Sequence, residues 1–135
     1  MKRAILFIAT IPILISQNIA YAQEGYLCVS EAAGGVSYDK GSKTWKGTSF
    51  NIKSEKQLIT KKGNKWIIKD FGSTLENECT ISSASNIMKC DKIHSDLILN
   101  TKTLRYISSY LWGYIDGVDN NNNTPHIEIG ICTKL

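Results

Sequence analysis

Four cysteines, Cys28, Cys79, Cys90 and Cys132, follow an N-terminus patterned for export, which makes this a small domain stapled by sulfur. Lys2 and Arg3 form a short positive segment, and Ala4 to Ile15 is apolar apart from Thr10 and Pro12. Ser16-Gln17-Asn18 then leads into Ala20-Tyr21-Ala22. This order of charge, apolar run and small-x-small triplet is that of a secretory signal peptide cleaved after Ala22. The apolar run falls short of the roughly 20 residues that a membrane-spanning helix needs. Cys28 stands too far beyond the run, after Gln23-Glu24-Gly25-Tyr26-Leu27, to carry a lipid anchor. The expected organisation is a signal peptide over 1–22 and one disulfide-bonded domain over 23–135. It is periplasmic or secreted, with no stable membrane anchor once the leader is removed.

In an oxidising compartment four cysteines read as two disulfides, for which three connectivities exist. Cys79 and Cys90 flank Ser82-Ser83-Ala84-Ser85-Asn86, a bend that brings their sulfurs within reach. Strand parity supports Cys28–Cys132 as the other pair. Leu27 and Val29 share one strand face with Cys28 opposite, and Ile127, Ile129 and Ile131 share one with Cys132 opposite. Neighbouring first and last strands would place both apolar faces on the core and both cysteines on the other side. No C-x-x-C pair occurs, and the two histidines are not spaced to complete a zinc site. No metal site and no cofactor motif is expected.

Short alternating runs separated by Gly, Asn, Asp, Ser and Lys follow the leader. Strands are expected at 26–30, 35–38, 44–50, 57–60, 65–71, 79–82, 87–91, 97–99, 104–115 and 126–133. The fold class is all-β, a small antiparallel barrel or sandwich of about 8–10 short strands stapled by two disulfides. Residues 104–115 also fit a helical face through Leu104, Ile107, Leu111 and Ile115, but their Tyr and Ile content and Gly113 favour a strand.

An early Cys, the Gly35-x-x-Tyr38 … Trp45 … Phe50 hairpin, the Lys65-Trp66-x-x-Lys69 strand and the closing Thr124-Pro-His-Ile-Glu-Ile-Gly-Ile-Cys132 carry a resemblance. The chain resembles a group of small exported proteobacterial β-proteins with no assigned activity. That resemblance runs across most of the mature chain and implies export and a β-fold, with no catalytic residues carried over. In layout the chain is also similar to the small periplasmic β-barrel lysozyme inhibitors, a likeness of architecture alone.

Loss of Lys2 and Arg3 with the leader lowers the formal charge from +4 to +2, which argues against a nucleic-acid binder. The charge is nonetheless uneven. Six Lys against one Glu lie between Lys53 and Lys69, and Lys61, Lys62 and Lys65 are candidates to meet an anionic partner. Tyr106, Tyr110, Trp112 and Tyr114 alternate along one expected strand, as an outward contact surface or as core packing. His126 and Glu128 share a strand face and read as a surface pair; His94, Ser95 and Asp96 read as a solvated loop. Asp119, Asn121 and Asn123 have the spacing of the first ligands of a calcium loop but lack its Gly and closing Glu, which leaves a hairpin loop.

The expected function is an exported, non-enzymatic envelope or secreted binding protein, for instance an inhibitor of a hydrolase. Its partner would be an envelope component or another protein. The alternatives are an envelope-polymer enzyme, which a deep pocket holding Glu128 or His126 would favour, and an assembly subunit, which a long unpaired strand edge would favour.

Overall fold

The computed structural model describes residues 24–52 and 55–135; the expected leader and Lys53 lie outside the described residues. Nine antiparallel strands follow in order: β1 Gly25–Asp39, β2 Thr44–Ser49, β3 Lys56–Lys62, β4 Lys65–Asp70, β5 Asn77–Ser82, β6 Ile87–Lys92, β7 Ser95–Asn100, β8 Arg105–Tyr110 and β9 His126–Lys134. Every strand from β3 to β8 pairs with the next, and β1 pairs with both β3 and β9. Eight strands therefore close into an up-and-down barrel, and β2 joins it only through β1. Closure removes the unpaired edges that an open sheet would expose.

β1 replaces the two short strands expected at 26–30 and 35–38. An irregularity between Ser30 and Ala32 shifts its register against β9. Its first half lies between β3 and β9, and its second half passes on to pair with β2, from Gly34↔Ser49 to Asp39↔Thr44. A bulge bends a strand and increases its twist, which lets one chain segment serve both barrel and hairpin.

Both expected disulfides are present, and each links directly opposed residues: Cys28↔Cys132 across β1 and β9, Cys79↔Cys90 across β5 and β6. The expected faces are inverted, however. Cys132 is 1% exposed and Ile129 48% exposed, and Val29, Ile127 and Ile131 also lie outward. The interior holds both disulfides with Tyr26, Ile59, Ile68, Met88, Leu97, Leu99 and Tyr106. An eight-stranded barrel has room for few side chains, and compact cross-strand disulfides with a pair of tyrosine rings fill it. The isoleucines form an outer row instead, with Ile98, Ile107 and Ile129 in register across β7, β8 and β9.

Gly130 shows how tight the interior is. A Cβ there would stand 2.2 Å from the Val29 carbonyl oxygen and 2.6 Å from Tyr106 Cε1, so the tyrosine ring occupies the place of a side chain on β9. Two disulfides are consistent with an oxidising, extracytoplasmic location. Among the described residues no helix is long and apolar enough to cross a membrane.

Candidate functional site

Along each barrel strand the inward face changes from apolar to polar toward the same end. Ile59 gives way to Gln57, Ile68 to Asp70, Cys90 to Lys92, Leu97 to Ser95 and Tyr106 to Ser108. On β9 the interior reads Cys132, Gly130, Glu128 and His126 in that direction. Because neighbouring strands run antiparallel, these polar residues sit at the start of one strand and the end of the next. They converge on a cavity of about 540 Å³ at the barrel mouth, with Phe50, Ile52 and Glu55 from the β2–β3 connection on one side. The opposite end is closed by Tyr26 and Trp66, whose ring centroids are 5.6 Å apart.

Two polar side chains are buried in this wall. Gln57 is 7% exposed and its Oε1 has no hydrogen-bond partner among the described residues. Glu128 is 6% exposed; its Oε1 accepts from the Tyr106 hydroxyl at 3.1 Å. With that proton committed, Ser30 Oγ donates to the Tyr106 oxygen at 2.8 Å. Burial is the main cause that holds the Tyr106 phenol well above its ordinary range; the Ser30 hydrogen bond opposes it and the charge of Glu128 adds to it. Lys92, largely buried, pairs with Asp70 at 2.7 Å. His126 lies between Phe50 and Tyr110, at centroid distances of 5.5 and 5.6 Å, and its Nδ1–H donates to the Thr124 carbonyl at 2.9 Å. In the neutral ring Nε2 is then the acceptor.

The aromatic candidates do not form one stripe. β8 stops at Tyr110 rather than running to Ile115, and the chain turns at Gly113, whose φ of 100° only glycine adopts readily. Tyr106 belongs to the core and Tyr110 to the mouth, its hydroxyl donating to Asn123 Oδ1 at 3.2 Å. Trp112 stacks on His94 with centroids 4.3 Å apart, and Tyr114, in a 3-10 turn over Tyr114–Asp116, packs edge-on against Trp45 at 5.4 Å.

The oxygens with calcium-like spacing have other employment. Asp119 Oδ1 accepts from Trp45 Nε1 at 2.9 Å, Asn121 Oδ1 from the Tyr38 backbone N–H at 2.7 Å, and Asn123 from Tyr110. The Asn-rich loop thus ties the β1–β2 hairpin to the barrel rim. Among the described residues no three of His, Cys, Asp and Glu gather to hold a metal ion.

The basic candidates lie on the β3–β4 hairpin, each beside an acid. Lys61 pairs with Glu24 at 2.6 Å, Lys62 with both oxygens of Glu76 at 2.6 and 2.7 Å, and Lys65 with Glu78 at 2.7 Å. Exposed pairs of this kind add little stability, but they offset the local positive charge. The Lys62 hydrogen bond is the main cause that lowers the Glu76 carboxyl below its usual range.

Sequence reasoning missed Gln57 and Ser108, and it read Ser95 as part of a solvated loop, whereas Ser95 opens β7 and lines the mouth. Their signal was the polar residue standing in the inward phase of an otherwise apolar strand face, repeated strand after strand at one end of the barrel. No protein-family model, curated protein or solved structure matches the chain.

Proposed function

We propose that the protein is an exported, non-enzymatic binding protein of the periplasm or the secreted fraction, and that it binds through the barrel mouth. The observation that carries this reading is Gln57 Oε1, a buried acceptor without a partner among the described residues, in the wall of a cavity of about 540 Å³. Leaving such a group unmatched costs about 1–3 kcal/mol, and a ligand donor that reaches it recovers that penalty. Buried acceptors without internal partners are rare in folded chains, so this one calls for a role. The leader pattern and the two disulfides support the extracytoplasmic setting.

An enzyme of envelope polymers is the second reading, favoured because His126 and Glu128 line the same cavity. Glycoside cleavage needs two carboxyl groups working across one bond. Asp70 is held by Lys92 and Glu76 by Lys62, which leaves Glu55 and Glu128 as the mouth carboxyls outside these ion pairs. Binding is preferred on the buried acceptor of Gln57, which such cleavage does not call for.

Amide chemical-shift mapping against an unbiased fragment mixture tests the proposal. Hits should move Ser95, Ser108, Tyr110, His126 and Glu128 and leave Tyr26 and Trp66 unmoved. Hits confined to other surfaces, or no hit at all, refute it. Turnover of peptidoglycan fragments that His126→Ala abolishes would establish the enzyme instead.

A further inference from the structure

Resting on the mouth as the binding site, we infer that its occupant is a cationic side chain, a lysine ammonium or arginine guanidinium, carried on an apolar loop of a partner protein. Three groups of the wall offer acceptors, beside the Ser108 hydroxyl and the Lys92 ammonium that Asp70 holds. Gln57 offers a carbonyl oxygen without a partner among the described residues, and the neutral form of His126 would offer Nε2 because its Nδ1–H is committed to Thr124. Glu128 brings a charge that no cation among the described residues pairs with, while Asp70 and Glu76 are already paired. A donor-only cation matches the acceptor character of all three groups, which line one cavity. A neutral polyol would meet Gln57 and leave the Glu128 charge unpaired, and an anion would be repelled by it.

The surroundings of the mouth select the carrier. Leu75 and Ile93 line it and are 70 and 71% exposed; Phe71, on the same connection as Leu75, is 68% exposed. Exposed apolar residues beside a polar centre exclude water from it once a partner is seated, as around a protein–protein hot spot. A free amine gains nothing from this rim, whereas a loop that presents its cation between apolar neighbours buries it. The charges of Glu55 and Glu128, which lie outside those ion pairs, disfavour an anionic bilayer as the carrier.

The test uses three probes against the intact, oxidised protein: a cyclic peptide with one Lys between two Leu, the same peptide with norleucine for Lys, and n-butylammonium. The Lys peptide should shift the amides of Ser108, His126 and Glu128 and bind at least tenfold tighter than the norleucine peptide. Glu128→Gln keeps an oxygen for the Tyr106 hydroxyl and should weaken the Lys peptide tenfold or more while leaving the norleucine peptide unchanged. Leu75→Ser with Ile93→Ser should weaken the Lys peptide and spare n-butylammonium. Equal binding of the two peptides, or indifference to Glu128→Gln, overturns the inference. So does binding to phosphatidylglycerol vesicles that the Lys peptide cannot displace. If glycerol moves the mouth amides and neither cationic probe does, the mouth stands as a binding site and the cationic occupant falls; if nothing moves them, both fall.

Discussion

Removing each disulfide in turn separates loop closure from packing. The two bridges close loops of very different length, with sequence separations of 104 and 11. In the chain-entropy model these contribute about 4.8 and about 2.8 kcal/mol at 25 °C, a difference of about 2 kcal/mol. The short loop is nested in the long one, and that correction is only about 0.1 kcal/mol. All four sulfurs lie in the core, so replacing either pair by Ala removes a similar amount of packing, which cancels in the comparison. Urea unfolding followed by the fluorescence of the closing-end Trp66 provides the assay. Cys28→Ala/Cys132→Ala should lose about 2 kcal/mol more than Cys79→Ala/Cys90→Ala. It should also show the larger rise in m-value, because its denatured chain expands more. Equal losses, or a larger loss for the short loop, would refute the reasoning and place the contribution in native packing.

Three further outcomes follow from the interior. Tyr106→Phe takes the donor from Glu128 and the acceptor from Ser30, and should cost about 1.5–3 kcal/mol in denaturant unfolding. Because burial raises the Tyr106 phenol in the fold above its ordinary value of about 10, the unfolded chain releases that proton first. Wild-type stability is then whole below pH 10 and falls as pH rises further, by up to about 1.4 kcal/mol per unit for this group. Tyr106→Phe should flatten that alkaline fall, leaving the part due to Tyr26, whose phenol burial also raises. Leu97→Ala should cost about 2–5 kcal/mol and Ile107→Thr less than about 1, since one residue is interior and the other on the outer row; the reverse order would put the core on the isoleucine side. Gly130→Ala drives a Cβ into Val29 and Tyr106 and should lower stability by on the order of 3 kcal/mol in thermal or urea unfolding.

Strand positions and disulfide pairing were legible because both rest on local alternation. Cys28 and Cys132 sit in the same phase of neighbouring strands, and Cys79 and Cys90 flank one bend, so pairing follows without knowing which side is inside. The inside itself was not legible. Ile127, Ile129 and Ile131 look like a core face because β-branched residues suit a strand on either side, whereas a barrel this narrow is filled by sulfur and tyrosine. The cavity was hidden for a different reason. Each strand contributes a single residue, such as Gln57, Ser108 or Glu128, and their approach depends on barrel closure rather than on spacing along the chain. Only His126 and Glu128, adjacent in phase on one strand, could be associated beforehand.

The bridge between β1 and β9 also imposes an order of events on a chain that emerges from its N-terminus. Cys28 appears early, and its partner comes only with the final strand. Until then the barrel is an open ribbon with two raw edges, and Cys28 is a reactive thiol among other thiols. The Cys79–Cys90 bridge needs only its own hairpin and can form well before the end is delivered. Once made, it withdraws two wrong partners and leaves Cys28 with one choice. The short bridge thus acts as a chaperone for the long one, and the last nine-residue strand is the latch that turns a meandering sheet into a sealed ring.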